Sequence, residues 1–286
     1  NEDVKMNGEV EFGIGLRRME NVAEDARAAE GMGYEFVATG EHVFFYGPVG
    51  NGLIQLAAAA GATTSIKLMS AVTLVPLYPT SLLAKQVATL DIVSGGRFNL
   101  GVGVGGEFAK EFEACGVPVS ERGARTNEAL GLMKRLWSED DVVFEGRFNT
   151  LSGVTLAPQP ASPPAIWISG RSEAAMRRCA RYGDGWLPYM YTPEMLSDSM
   201  AKIATFTEEA GRPDGTVRGG MFIFTCVHKD RETALDLANQ QLSRQYNQDF
   251  SKLVGKYALA GSPEDCIARV QEYIDAQLFN ADQPFG

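Results

Sequence analysis

From Val10 onward the chain repeats one unit: a short apolar run, a turn, then a segment with apolar residues at helical spacing. The first three strands are expected over Val10–Gly15, Glu35–Thr39 and Ile66–Val75. A short fourth strand, Arg97–Leu100, runs into a glycine-rich loop. The fifth is expected over Ala165–Ser169, a very short sixth over Gly185–Leu187 and a seventh over Val217–Val227. Helices are expected over Met19–Met32, up to Ala62, over Ser81–Val93, Arg122–Trp137, Ser172–Tyr182 and Pro193–Ala210, and from Asp230. The last helix opens at Ser262-Pro263-Glu264-Asp265, with serine as N-cap, proline first and acids in the first turn. Val142–Phe148 and Val154–Leu156 depart from the repeat as a small β-hairpin before strand five, and four prolines between 158 and 164 mark an extended connection. Such units in series require parallel strands. Over 286 residues the pattern fits an α/β (β/α)₈ TIM barrel better than an open sheet, and no linker divides residues 1–286.

Charge and composition narrow the function. A net charge of -10 opposes nucleic acid or an anionic membrane as partner, since both require a cationic face. Cys115, Cys179, Cys226 and Cys266 are widely separated, as expected of reduced thiols in a cytoplasm, not of a disulfide framework or zinc site. With only His42 and His228, no metal site is expected. No apolar run approaches the roughly 20 residues of a membrane span. The N-terminal Asn-Glu-Asp-Val lacks the features of a signal peptide.

The most informative segment is Ser94-Gly95-Gly96-Arg97-Phe98-Asn99-Leu100-Gly101-Val102-Gly103-Val104-Gly105-Gly106-Glu107. Its first glycines stop a helix. The glycines at 101, 103, 105 and 106 let the backbone approach a flat or phosphorylated ligand, or a neighbouring strand, and Glu107 arrives at the same place. Gly101, Gly103 and Gly106 match the dinucleotide fingerprint, but strand-helix units precede it and a Rossmann domain carries it at its first strand. A P-loop is excluded, because no Gly-Lys-Ser/Thr follows.

Three further stretches carry a resemblance. Leu82 through Phe98 (LLAKQVATLDIVSGGRF), Glu121 through Glu128 (ERGARTNE), and Ile166 through Ser172 with Arg181 through Trp186 together resemble the bacterial luciferase-like monooxygenase superfamily, over roughly residues 10 to 190. The wording is most similar to its F420-dependent oxidoreductases. This resemblance implies a (β/α)₈ barrel that binds coenzyme F420, with FMN as the alternative; a mixed apolar pocket is expected to take a small hydrophobic alcohol, ketone, aldehyde or enone.

Barrel chemistry gathers where strands end. Thr39-Gly40-Glu41-His42 closes the second strand and matches the family's acid-histidine pair, usually Asp-His. His42 is the candidate proton-transfer group, and the resemblance implies that Glu41 bonds the cofactor. Phe44 and Tyr46 are candidates for the substrate pocket. Glu107 matches the acid of deazaflavin-dependent dehydrogenases and is expected to donate a proton from a partly dry pocket. Gly103, Gly105 and Gly106 are expected beside the cofactor. The resemblance further implies a bulge in the third strand with a cis peptide bond, Ala71–Val72, against the back of the ring. Gly170, Arg171 and Ser172 open a helix and suit the cofactor phosphate.

Two features depart from the family. Arg17 and Arg18 stand where some members carry a glutamate, which argues against a sugar-phosphate substrate. The last helix runs through Asp275–Asn280 toward Pro284, so the closing elements are expected to be short or incomplete, with a homodimer covering the open edge. Two other functions fit the residues: a glycoside hydrolase using Glu41 and Glu107 as paired carboxylates, and a flavin-binding protein without catalysis.

Overall fold

A computed structural model describes residues 10–278. Strands and helices alternate along the chain. β1 (Gly13–Gly15), α1 (Val22–Gly31), β2 (Phe36–Thr39), α2 (Gly52–Ala62), β3 (Lys67–Ser70) and β4 (Thr73–Leu74) come first. Then follow α3 (Thr80–Ser94), β5 (Phe98–Gly103), α4 (Ala109–Ala114) and α5 (Arg122–Ser138). An antiparallel pair, β6 (Val142–Glu145) and β7 (Thr150–Val154), precedes β8 (Ala165–Ile168), α6 (Glu173–Tyr182), β9 (Gly185–Trp186) and α7 (Pro193–Glu209). The chain continues with β10 (Arg218–Gly219), β11 (Thr225–Val227), α8 (Arg231–Tyr246), α9 (Val254–Tyr257), β12 (Leu259–Gly261) and α10 (Pro263–Leu278).

The main sheet runs β1-β2-β3-β5-β8-β9-β10, parallel throughout, with β4 paired to the far end of β5. A parallel bridge, Tyr189 to Phe222, continues it, and β11 pairs β12 separately. This is an α/β fold with a parallel, half-barrel sheet, where the repeat led to the expectation of a (β/α)₈ barrel. Among the described residues no ladder joins β12 to β1.

Alternation along each strand explains why these runs are almost wholly apolar. Val37, Leu68, Ile166 and Ile168 point to the helix layer and join Leu56, Leu83, Leu130 and Trp137. Their neighbours Phe36, Met69 and Trp167 point to the other face and cluster with Leu187. Trp137 and Trp186 are almost fully buried, and each satisfies its indole N–H, on the Ala84 carbonyl (3.0 Å) and on Ser199 Oγ (3.1 Å). Gly95 and Gly96, with φ of 71° and 78°, end α3, and their amides donate to the carbonyls of Ile92 and Asp91.

Several boundaries differ from expectation. The first strand is shorter, beginning at Gly13. The third is interrupted after Ser70: Ala71 N donates back to the Thr39 carbonyl (2.8 Å), the Ala71–Val72 bond is cis as the resemblance implies, and pairing resumes at Thr73. β5 extends to Gly103, so Gly101 and Gly103 lie inside a strand and not in a loop. The expected seventh strand divides into β10, which pairs β9, and β11, which pairs β12; Trp167 leaves no room for a Cβ on Gly220 between them (2.9 Å). In the hairpin the second strand is Thr150–Val154, since Glu128 draws the turn amides of Arg147, Phe148 and Asn149 onto its carboxylate. Helix α4 has no counterpart in the sequence reading. The expected behaviour at Asn280 and Pro284, and the four N-terminal residues, lie outside the described residues. Among those described, no helix is long and apolar enough to cross a membrane.

Candidate active site

The C-terminal ends of β1, β2, β3, β5, β8 and β9 open into one cavity of about 1130 Å³. This is where barrel chemistry is expected.

At the end of β2 the backbone turns through Gly40, where a Cβ would stand 2.8 Å from the Ala71 carbonyl oxygen. Glu41 then points inward and is buried. Its Oε1 accepts from Leu74 N (3.0 Å), and its Oε2 from Gly52 N (3.2 Å) and Tyr78 Oη (2.9 Å). Burial pushes its carboxyl above the ordinary carboxylate range, against the pull of those donors. Glu41 therefore joins β2, α2 and the β4 segment. Glu41 also lines the cavity, as expected of a residue beside the cofactor.

His42 lines the cavity with its side chain 18% exposed. Its ring stacks on Phe45 (centroids 4.0 Å apart, 13° between planes), and its Nδ1 lies 3.2 Å from Glu111 Oε2. Glu111, in α4, is fully buried, and its Oε1 also accepts from Val43 N (2.6 Å) and Phe44 N (3.3 Å). No described residue hydrogen-bonds His42 Nε2. Of the three aromatic residues that follow, Phe45 and Tyr46 line the cavity; Phe44 does not, and is half exposed. This corrects the expectation for Phe44. Phe45 meets Tyr246 edge to face, and Tyr246 meets Phe224 likewise, so an aromatic wall runs from the β2 loop to α8.

The glycines divide into two jobs. Gly101 and Gly103 make room for the bulge: a Cβ on Gly101 would stand 1.8 Å from the Ser70 carbonyl oxygen, and one on Gly103 2.5 Å from Val72 Cγ2. Ala71, Val72 and Gly103 thereby reach the cavity wall. Gly105, with φ of 61°, also lines it. Gly106 does not; a Cβ there would press on Arg122 instead.

Glu107 lines the cavity but is exposed, contrary to the partly dry setting expected of it. Its Oε1 accepts from Tyr189 Oη (2.7 Å). Burial, then the neighbouring Glu107 charge, raises the Tyr189 phenol above its usual range, and the same causes push Tyr246 up to about 12. Both phenols are therefore neutral donors near neutral pH.

After β8, Gly170 takes φ of 141°, and a Cβ would lie 2.7 Å from that of Ala175, so this corner requires glycine. Ser172 caps α6, its Oγ accepting from Ala175 N (3.3 Å), and Gly170, Arg171 and Ser172 all line the cavity. Arg171 lies over the Tyr189 ring (5.2 Å). Among the described residues Arg17, Arg171 and Arg244, all lining the cavity, have no carboxylate partner within ion-pair distance. All four cysteines are free, and no group of three or more His, Cys, Asp or Glu among the described residues could hold a metal ion.

Tyr189 and Tyr246, which line the cavity, and Glu111, which holds His42, were not picked out from the sequence. Glu111 is separated from His42 by 69 positions, and no local pattern marks it.

A family model described as luciferase-like monooxygenase matches residues 7–278. An uncharacterised protein of Mycobacterium bovis is 33% identical over 180 residues, which cover 63% of this chain and 62% of the relative. The match thus spans less than two thirds of that relative's length. An F420-dependent glucose-6-phosphate dehydrogenase of Kineococcus radiotolerans is 26% identical over 285 residues, covering 89% of this chain and 84% of the relative. An FMNH(2)-dependent dimethylsulfone monooxygenase of Pseudomonas fluorescens is 30% identical over 180 residues, covering 62% and 48%. Among solved structures, an F420-dependent secondary alcohol dehydrogenase in complex with an F420-acetone adduct superposes with a TM-score of 0.83 at 21% identity, covering 94% of this chain and 91% of the other. That last likeness is one of fold.

Proposed function

This chain belongs to the luciferase-like monooxygenase family, and from that premise we propose that it transfers a hydride between coenzyme F420 and a small alcohol, ketone or enone. The observation that carries the reading is His42. It stands at a strand end with Nδ1 tied to Glu111 and Nε2 unpartnered, in the same cavity as the Ala71–Val72 bulge and the Gly170-Arg171-Ser172 corner.

The residues present fit the cofactor. Ala71 and Val72 offer an apolar ledge to a flat ring, and Gly103 and Gly105 line the same cavity. Gly170, Arg171 and Ser172 would hold its phosphate. Arg17 and Arg244 add unpaired cations, which suits a cofactor whose tail carries carboxylates beyond the phosphate. When bound, F420 supplies a carbon centre that gives or accepts hydride. Hydride transfer to a carbonyl leaves an alkoxide, and His42 Nε2 is the group that gives it a proton, or takes one from an alcohol in the other direction. Glu107 with Tyr189 forms a second polar pair at the rim. Phe45, Tyr46 and Tyr246 exclude water and suit an apolar substrate.

The whole chain is read as one (β/α)₈ barrel domain in the cytoplasm. Ile54 on α2 and Leu82 on α3, two helices that pack together, are well exposed and support a homodimer. A second reading, an FMN-dependent monooxygenase, is supported by the Pseudomonas relative.

Titration with F420 and with FMN, oxidised and reduced, separates the two. Tight F420 binding with weak FMN binding is the expected result, and preference for reduced FMN overturns it. His42→Ala is expected to lower turnover about 10²- to 10⁴-fold while leaving cofactor affinity within a factor of two. Unchanged turnover would remove His42 from the mechanism.

A further inference from the structure

His42 is held on three sides, and the partner on its Nδ1 is unusual. Glu111 is fully buried, and both of its oxygens face the histidine, Oε2 at 3.2 Å and Oε1 at 3.3 Å from Nδ1. Oε1 accepts from two successive backbone amides, Val43 N at 2.6 Å and Phe44 N at 3.3 Å. Those amides have no other acceptor in the loop, so they pin Oε1 and turn Oε2 toward Nδ1 at 3.2 Å. Stacking on Phe45 then sets the plane of the imidazole.

We propose that Glu111 is a positioning residue that fixes the proton of neutral His42 on Nδ1 and so presents Nε2 to the substrate as a bare acceptor. An oxygen receiving two amide donors acts as an acceptor. Nδ1 lies 3.3 Å from that same oxygen as well as 3.2 Å from Oε2, so the hydrogen between the two groups belongs to the imidazole. The consequence is directional. A histidine free to exchange tautomers carries its proton mostly on Nε2, where it could donate to a substrate carbonyl but not remove an alcohol proton. Locked by Glu111, the neutral ring is a base at Nε2, and once protonated there it becomes the acid for the reverse step. The loop and the tautomer are set by one side chain, so His42 is aimed before any substrate arrives.

This rests on the reading of His42 as the proton-transfer group, but its test needs neither cofactor nor substrate. The chain has two histidines, so ¹⁵N spectra of the ring nitrogens are simple, and His228→Gln identifies the His42 signals. In the neutral form, His42 of the wild type is expected to show a protonated Nδ1 and a bare Nε2. Glu111→Gln keeps size and shape. The amides of Val43 and Phe44 hold the new carbonyl oxygen at the Oε1 position, which places the NH₂ against Nδ1 as a donor. The tautomer should therefore invert to Nε2–H. In the loaded enzyme the same variant is expected to lower kcat at least about tenfold with substrate KM nearly unchanged.

A bare Nδ1 in the wild type would overturn the proposal, and so would an unchanged tautomer in Glu111→Gln. If that variant fails to fold, the wild-type spectrum alone decides. Failure of F420 and FMN to bind would refute the functional reading and leave the tautomer result standing.

Discussion

Alanine at Gly101 tests whether the bulge that lines the cavity is built by strand packing. Gly101 sits in β5 directly against the end of β3, and the two strands are locked there by a reciprocal pair of hydrogen bonds. Ser70 Oγ donates to the Gly101 carbonyl (3.0 Å), and Gly101 N donates to Ser70 Oγ (2.9 Å). A Cβ on Gly101 would fall 1.8 Å from the Ser70 carbonyl oxygen and 3.0 Å from its carbon. Both are backbone atoms, so no rotamer change relieves the clash; the strands must separate. Overpacking of this kind costs about 1–3 kcal/mol. Opening the buried Ser70–Gly101 pair adds about 1–3 kcal/mol. The sum is about 2–6 kcal/mol, which at roughly 2–4 °C per kcal/mol lowers the melting temperature by roughly 4–24 °C. Gly103→Ala is the informative companion. Its Cβ would meet Val72 Cγ2 at 2.5 Å, a side-chain atom of a residue lining the cavity. It should cost less stability and more cofactor affinity, because Val72 can yield only toward the cavity. Thermal unfolding followed by circular dichroism, with F420 and FMN titrations on both variants, measures the two effects. A Gly101→Ala protein melting within roughly 2 °C of wild type would refute the packing argument, since it requires the clash to be absorbed without cost.

Two other variants probe separate parts of the molecule. Glu30 Oε1 accepts from the backbone amides of Thr64, Ser65 and Ile66, and these bonds, led by Ser65 and Ile66, lower its pKa to about 2. A carboxyl depressed in the folded state contributes stability above its unfolded pKa and loses it as pH falls toward the folded one. Glu30→Gln is therefore expected to cost about 1 kcal/mol at pH 7, with the difference from wild type closing between roughly pH 4.5 and 2 in urea melts; a pH-independent difference would contradict the assignment. Arg171→Ala removes the unpaired cation beside the α6 amides and is expected to weaken cofactor binding about ten- to a hundredfold, the equivalent of one charge-assisted hydrogen bond. Unchanged affinity would move the phosphate elsewhere.

The strand-helix repeat was legible because the central strands β2, β3, β5 and β8 are mostly buried on both faces and so read as nearly unbroken apolar runs. Its failures share one cause. The interruption of β3 after Ser70 depends on Gly40 and Gly101, which belong to neighbouring strands. The division of the seventh strand goes with two partners, β9 before it in sequence and β12 after it. The register of the hairpin depends on Glu128 in α5. Each is decided by residues remote in sequence, and hydrophobic period carries no trace of them. The site divides in the same way. His42, Glu107 and Arg171 were legible because strand ends deliver chemistry to one rim. The choice among Phe44, Phe45 and Tyr46 was not, since nothing local says which ring turns inward.

The glutamates show why an acidic sequence is a poor guide to function by itself. Glu30, Glu41, Glu111 and Glu128 each reach across 11 or more positions to collect backbone amides that a loop leaves without an acceptor: at 64–66, at 52 and 74, at 43 and 44, and at 147–149. An unsatisfied buried amide costs about 1–3 kcal/mol, so these carboxylates are structural before they are anything else. Two of them bracket the histidine. Glu41 fixes the residue before it to α2 and to the segment after the bulge, and Glu111 fixes the two residues after it. His42 is thus suspended between two buried carboxylate anchors, while the exposed Glu107 is left to the rim with Tyr189. Changing either anchor should therefore act on chemistry through the placement of His42, and changing Glu107 should act through contact with whatever enters the cavity.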